Sequence, residues 1–158
     1  MRRACAALSI PPLLSASLGA QESPGPTYWG FVALGPGGAA DSGFYASGIG
    51  GAMQVNRVLG MARIASLDTK KVKRIQDVAL LAGLATRPGR FHLGAAAGLG
   101  AVKDVRDSTT LGIAFEGHAS VLVTSWAALG VRVFGNANEL ANFGGITLVL
   151  QVGRLRRP

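Results

Sequence analysis

Cysteine is nearly absent from this chain: Cys5 is the only one. It precedes any apolar run, too early for a lipoprotein attachment site. Charge is also scarce, at 15% of residues, and aromatics reach only 6%. No stretch attains the ~18 uninterrupted apolar residues that a membrane-spanning helix requires. Low charge with a positive mean hydropathy excludes simple disorder. A net charge of +8 is compatible with nucleic acid, an anionic membrane surface or mere solubility, and favours none of them.

What is present begins with MRRACAALSIPPLLSASLGAQ. Arg2 and Arg3, an apolar run and small residues up to Ala20 have the layout of a secretory signal peptide over 1–20, leaving 21–158 as the mature domain. Pro11, Pro12 and the polar QESPGP that follows speak against a buried N-terminal helix. Cleavage would remove two of the 16 basic residues, leaving 14 against 8 acidic ones and a charge of +6. It would also remove Cys5, and with it any disulfide, thiol nucleophile or thiolate metal site. An exported, apolar chain with 23 glycines and no spanning helix can still enter a bilayer as a closed β-barrel, in which every backbone group is paired.

Segments of about ten residues alternate with polar breaks, as barrel strands do. They read as 27–34, 44–55, 58–67, 76–86, 90–102, 111–123, 126–135 and 144–155, which predicts an all-β, eight-stranded, antiparallel up-and-down transmembrane barrel. The longer breaks, 35–43, 68–75, 103–110 and 136–143, alternate with Asn56-Arg57, Arg87-Pro88-Gly89 and Thr124-Ser125. A periplasmic N-terminus would put every long break outside the cell and every short turn inside.

Within the segments every second residue shares a face. In LGIAFEGHASVLV, Glu116, His118 and Ser120 point one way, and Ile113, Phe115, Ala119 and Val121 the other. Ile146, Leu148, Leu150 and Val152 likewise oppose Thr147, Val149 and Gln151. Arg63 is ambiguous on its own, but an Asn56-Arg57 hairpin pairs Val55 with Val58 and hence Gly50 with Arg63, which turns Arg63 to the polar side. The apolar rows should face lipid. Arg63, Asp77, Glu116 and Arg132 should meet inside, with Gln54, His92, His118 and Gln151 as hydrogen-bonding neighbours, because isolated buried charge is costly. A Glu116–Arg132 pair is expected.

Taken together, the leader, the eight segments and the sorted breaks make the chain resemble the small outer-membrane β-barrel proteins of Gram-negative bacteria. The resemblance implies an outer-membrane location, contact with outer-membrane lipid, and a final-strand signal for the barrel assembly machinery, matched here by Gly145, Leu148, Leu150 and Val152. Family members commonly end on an aromatic residue, whereas this chain ends Arg154-Leu155-Arg156-Arg157-Pro158.

Enzymatic motifs are weak. Glu116-x-His118-x-Ser120 has the residue types of a hydrolytic triad, and the resemblance brings in lipid A deacylases, which use a His-x-Ser pair on one strand. Same-face neighbours on one strand are ~6.5–7 Å apart, too far for a short-chain triad, so packing and hydrogen bonding is the expected role. His92 and His118, 26 positions apart, lack metal-ligand spacing. VKRIQDVALLAGLATRPGRF imitates a helix-turn-helix, but Pro88-Gly89 would interrupt its second helix, which leaves no case for nucleic acid. Lys70, Lys71, Lys73 and Arg74 form a basic run, read as a solvated loop balanced by Asp68 and Asp77. The expectation is a monomeric, non-enzymatic outer-membrane barrel, without cofactor or metal, in a structural or surface-interaction role. The alternatives are a soluble exported barrel binding an apolar ligand, which needs the oily rows inside, and a lipid hydrolase using His118 and Ser120.

Overall fold

The computed structural model describes residues 25–39, 42–68, 75–103, 108–139 and 142–155. The expected signal peptide, Cys5 and the basic run Lys70, Lys71, Lys73 and Arg74 lie outside these residues. Eight strands follow one another: β1 (Thr27–Ala39), β2 (Ser42–Val55), β3 (Val58–Asp68), β4 (Ile75–Ala85), β5 (Phe91–Lys103), β6 (Thr109–Leu122), β7 (Ala127–Asn138) and β8 (Phe143–Arg154). Each pairs antiparallel with its sequence neighbour, and β1 closes on β8 to complete a barrel. Within the helix-turn-helix imitation, Ile75–Ala85 are β4 and Phe91 opens β5.

Register follows from the turns. Asn56 has φ 57°, which the left-handed residues of a tight hairpin require, and Val55 faces Val58 while Gly50 faces Arg63, as predicted. A one-residue slip would invert every face, so this turn alone orients β3.

The pleat sorts side chains as the alternation predicts. Leu148 is 72% and Leu80 69% exposed, and Ile49, Ile64, Val78, Leu93, Leu99, Ile113, Leu129 and Ile146 also point out. Arg63, Asp77, Glu116 and Arg132 are each no more than 3% exposed. A soluble barrel with inward oily rows is incompatible with this arrangement. The interior is also more apolar than the glycine-rich alternation suggests. Trp29, Phe31, Leu59, Met61 and Leu81 form one buried cluster, and Leu67, Ile75, Val102, Phe134 and Phe143 another.

The expected loop sorting is only partly present. The predicted first long break, 35–43, is largely ladder: Gly35 to Ala39 pair with Ala46 to Ser42. Strands also extend into 103–110 and 136–143, while at the opposite end the connections lengthen to 86–90 and 123–126. Glycine, alanine and asparagine have low strand propensity, but propensity yields to a neighbour that supplies hydrogen bonds. Pro36 has no N–H to donate, and the β1–β8 ladder skips Gly35 and Pro36 without ending the strand. At the other end the Thr124 hydroxyl accepts from Trp126 N and Ala127 N, at 3.3 and 3.0 Å, and so ends β6 before Val123.

Candidate functional site

The polar residues predicted for the interior meet there. Arg63 on β3 reaches β4, where its Nε and Nη2 donate to Asp77 Oδ2 at 3.0 and 2.7 Å. Its Nη1 lies 3.3 Å from Glu116 Oε2 on β6. Its remaining donors go to the carbonyls of Phe115 and Gly135, at 3.0 and 2.9 Å. Arg132 on β7 sits directly opposite His118, one pleat step from Glu116. Its Nη2 donates to Glu116 Oε2 at 2.8 Å, and its Nε is 2.7 Å from Oε1 but off the hydrogen-bond line. The Glu116–Arg132 pair is therefore present, as part of a larger chain. Two carboxylates and two guanidiniums balance, which is what a low-dielectric interior demands.

Aromatic faces complete the network. Both guanidiniums stack on Phe134, Arg63 at 5.2 Å and Arg132 at 4.9 Å, and Arg132 also covers Phe31 at 4.8 Å. Asn136 donates to Asp77 Oδ1 at 2.9 Å. Asp77 is thus occupied inside by Arg63 and Asn136. Trp29, Phe31 and Asn136 escaped the sequence reading. Asn136 lies four positions after Arg132, so a period of two places it on the same face and would have found it. Trp29 and Phe31 carry no such signal, because both faces of TYWGFVAL hold large apolar groups.

Nearer the turn end a second chain of polar groups begins. Gln54 Nε2 donates to the carbonyls of Asn56 and Thr86, at 2.7 and 2.8 Å. Its Oε1 is 2.8 Å from His92 Nε2, and His92 Nδ1 is 3.2 Å from His118 Nε2. The two histidines are distant in sequence but neighbours across β5 and β6, where Gly94 faces His118. Spacing along the chain was therefore a poor guide to their proximity. Trp29 meets both rings edge-on. Among the described residues no group of three or more His, Cys, Asp or Glu is placed to hold a metal. A void of about 10 Å³ lies between Trp29, Gln54, His92 and Ser120, at the lower limit for a single water.

The triad residues do not meet. Ser120 donates to Gln151 Oε1 at 3.0 Å, His118 meets His92, and Glu116 is held by arginines. The four residues matched to the assembly signal all lie on β8: Leu148, Leu150 and Val152 on the outer face. Gly145 lies on the inner face, where a Cβ would come within 2.9 Å of the Phe134 ring.

No protein-family model matches the chain, and no curated protein sequence does. Several solved structures do. Neisserial surface protein A is 16% identical with a TM-score of 0.57, covering 80% of this chain and 96% of its own. The N-terminal β-barrel domain of Pseudomonas aeruginosa OprF is 12% identical with a TM-score of 0.58, covering 80% and 96%. The attachment invasion locus protein Ail of Yersinia pestis is 8% identical with a TM-score of 0.56, covering 81% and 97%. Identities this low speak to architecture, and with the closed eight-strand topology they establish that this chain has the fold of the small outer-membrane β-barrels.

Proposed function

We propose that the protein is an exported, monomeric barrel of the outer membrane, with a structural or surface-interaction role and a lumen sealed by its own side chains. The observation that carries this reading is the ionic chain Asp77–Arg63–Glu116–Arg132, which ties β4, β3, β6 and β7 together across the interior. An eight-stranded barrel is just wide enough to be filled by side chains, and opening a water path would separate charges that hold one another. The outer rows are the surface that outer-membrane lipid would cover, and β8 is the strand that the assembly machinery would read through Gly145, Leu148, Leu150 and Val152. Hydrolysis is disfavoured because Ser120, His118 and Glu116 each have other partners.

Cell fractionation followed by electrophoresis with and without boiling tests the location, and planar bilayers test the seal. The expected result is heat-modifiable mobility in the outer-membrane fraction with no stepwise conductance. A salt-extractable soluble protein, or steady channel steps, would refute the proposal. Wild type, His118→Ala and Ser120→Ala should leave acyl chains on outer-membrane lipid alike. Release by wild type that both substitutions abolish would restore the hydrolase alternative.

A further inference from the structure

The turn end of the barrel carries charge of one sign. Arg57, Arg87, Arg90 and Arg154 are all exposed there, and no Asp or Glu lies at this end among the described residues. Exposed Tyr28, Phe91 and Trp126 occupy the same rim, the position aromatic girdles take at a membrane–water interface. Arg57 and Arg87 overhang a groove of about 680 Å³ on the outer wall, whose floor and sides include Leu84, Leu93 and Ala95. It is an open depression in the outer wall and not an enclosed cavity.

The groove is built on rigid backbone. Ala85 N donates to the Arg57 carbonyl at 2.8 Å, and Thr86 N to the Leu93 carbonyl at 2.8 Å. The Thr86 hydroxyl accepts from Leu93 N at 3.0 Å. Leu84 pairs with Ala95 across β4 and β5, so a small side chain beside two leucines leaves a notch in the apolar wall. Neither Arg57 nor Arg87 has a guanidinium partner among the described residues. Guanidinium forks match phosphate oxygens, and an acyl chain fits a leucine-walled notch. One molecule with a phosphate at one end and an acyl chain at the other satisfies both.

Resting on the reading that the barrel spans a membrane, we propose that this groove binds one anionic phospholipid, its phosphate between Arg57 and Arg87 and an acyl chain along Leu84, Leu93 and Ala95. Arg90 borders a separate depression with Leu122 and Val123, and Arg154 lies across the barrel on β8, so both serve as charge-matched controls.

The test is native mass spectrometry of the full folded chain in uncharged detergent, titrated with phosphatidylglycerol, phosphatidylcholine or soluble glycerol phosphate. A one-to-one adduct is expected with phosphatidylglycerol only. Arg57→Gln/Arg87→Gln should weaken it about tenfold, equivalent to about 1.4 kcal/mol, while Arg90→Gln/Arg154→Gln should stay within about twofold. Leu93→Gln should weaken it without touching the arginines. Equal binding of phosphatidylcholine, equal loss in both arginine doubles, or glycerol phosphate as tight as the lipid would each overturn the proposal. Gel mobility without boiling separates this from the membrane reading. A wild type that is not heat-modifiable refutes that reading, whereas a heat-modifiable protein without the adduct refutes only the groove.

Discussion

Replacing Glu116 with glutamine removes one charge from the lumen and leaves its volume almost unchanged. The consequences fall unequally on the two arginines. Arg63 keeps Asp77 and two carbonyls. Among the described residues Arg132 loses the only carboxylate it touches, and its Nη1 already lacks a hydrogen-bond partner there. What remains for it is the faces of Phe31 and Phe134, and a desolvated cation–π contact supplies about 2 kcal/mol. Breaking a buried pair by removing one partner costs about 3–5 kcal/mol. Glutamine still offers one acceptor oxygen, so Glu116→Gln should destabilise the barrel by about 3 kcal/mol, near the bottom of that range. The double variant Glu116→Gln/Arg132→Met removes both charges and should recover at least about half of the loss. Urea titration of the barrel refolded into phosphatidylcholine vesicles, followed by tryptophan emission, reads both values. Buried Trp29 and exposed Trp126 report packing and membrane insertion respectively. A single variant within about 0.5 kcal/mol of wild type, or a double variant less stable than the single, would show that the network does not act as a balanced unit.

The same titration checks the outer wall and the crowding inside. Leu80→Arg, at the centre of β4, should cost about 2–4 kcal/mol, whereas Val58→Arg beside the Asn56-Arg57 turn should cost about 0–1 kcal/mol; equal costs would mean that no bilayer covers this surface. A Cβ on Gly100 would meet Asn136 Nδ2 and come within 2.8 Å of Asp77 Oδ1, so Gly100→Val should destabilise by about 1–3 kcal/mol. Gly60 has nothing within 4 Å of an added Cβ, and Gly60→Ala should stay within about 0.5 kcal/mol of wild type. A Gly100→Val variant as stable as Gly60→Ala would mean that the lumen is loosely packed.

Strand count, facing and the β2–β3 register were legible in the amino-acid order because they are local. A period of two separates Glu116 from Phe115 whatever the rest of the chain does, and the Asn56-Arg57 turn sets Gly50 against Arg63 through a two-residue connection. The ionisable residues of the interior were legible for the same reason: an Arg, Asp or Glu in the middle of a strand has to turn away from the apolar face, whereas Asp68 and Arg154, at strand ends, are exposed. The ends of the strands were not legible. Gly35 to Ala39 read as a loop by composition, and only the partner strand that supplies their hydrogen bonds makes them β1. Nor did sequence reveal that His92 stands beside His118, that Asn136 reaches Asp77, or that Phe134 lies between two guanidiniums, since those contacts join residues on different strands.

The order of residues by itself determined that this chain would form eight two-faced strands with the charges of their central stretches on one side. The short β6–β7 connection already set Glu116 against Arg132, but tertiary structure decided that Arg63 joins Asp77 to Glu116, because closing β1 on β8 brings non-neighbouring strands within side-chain reach across a narrow interior. The physical reason is one of range: side-chain alternation acts over two residues, whereas charge pairing acts through space, and the path through space exists only once the cylinder has closed.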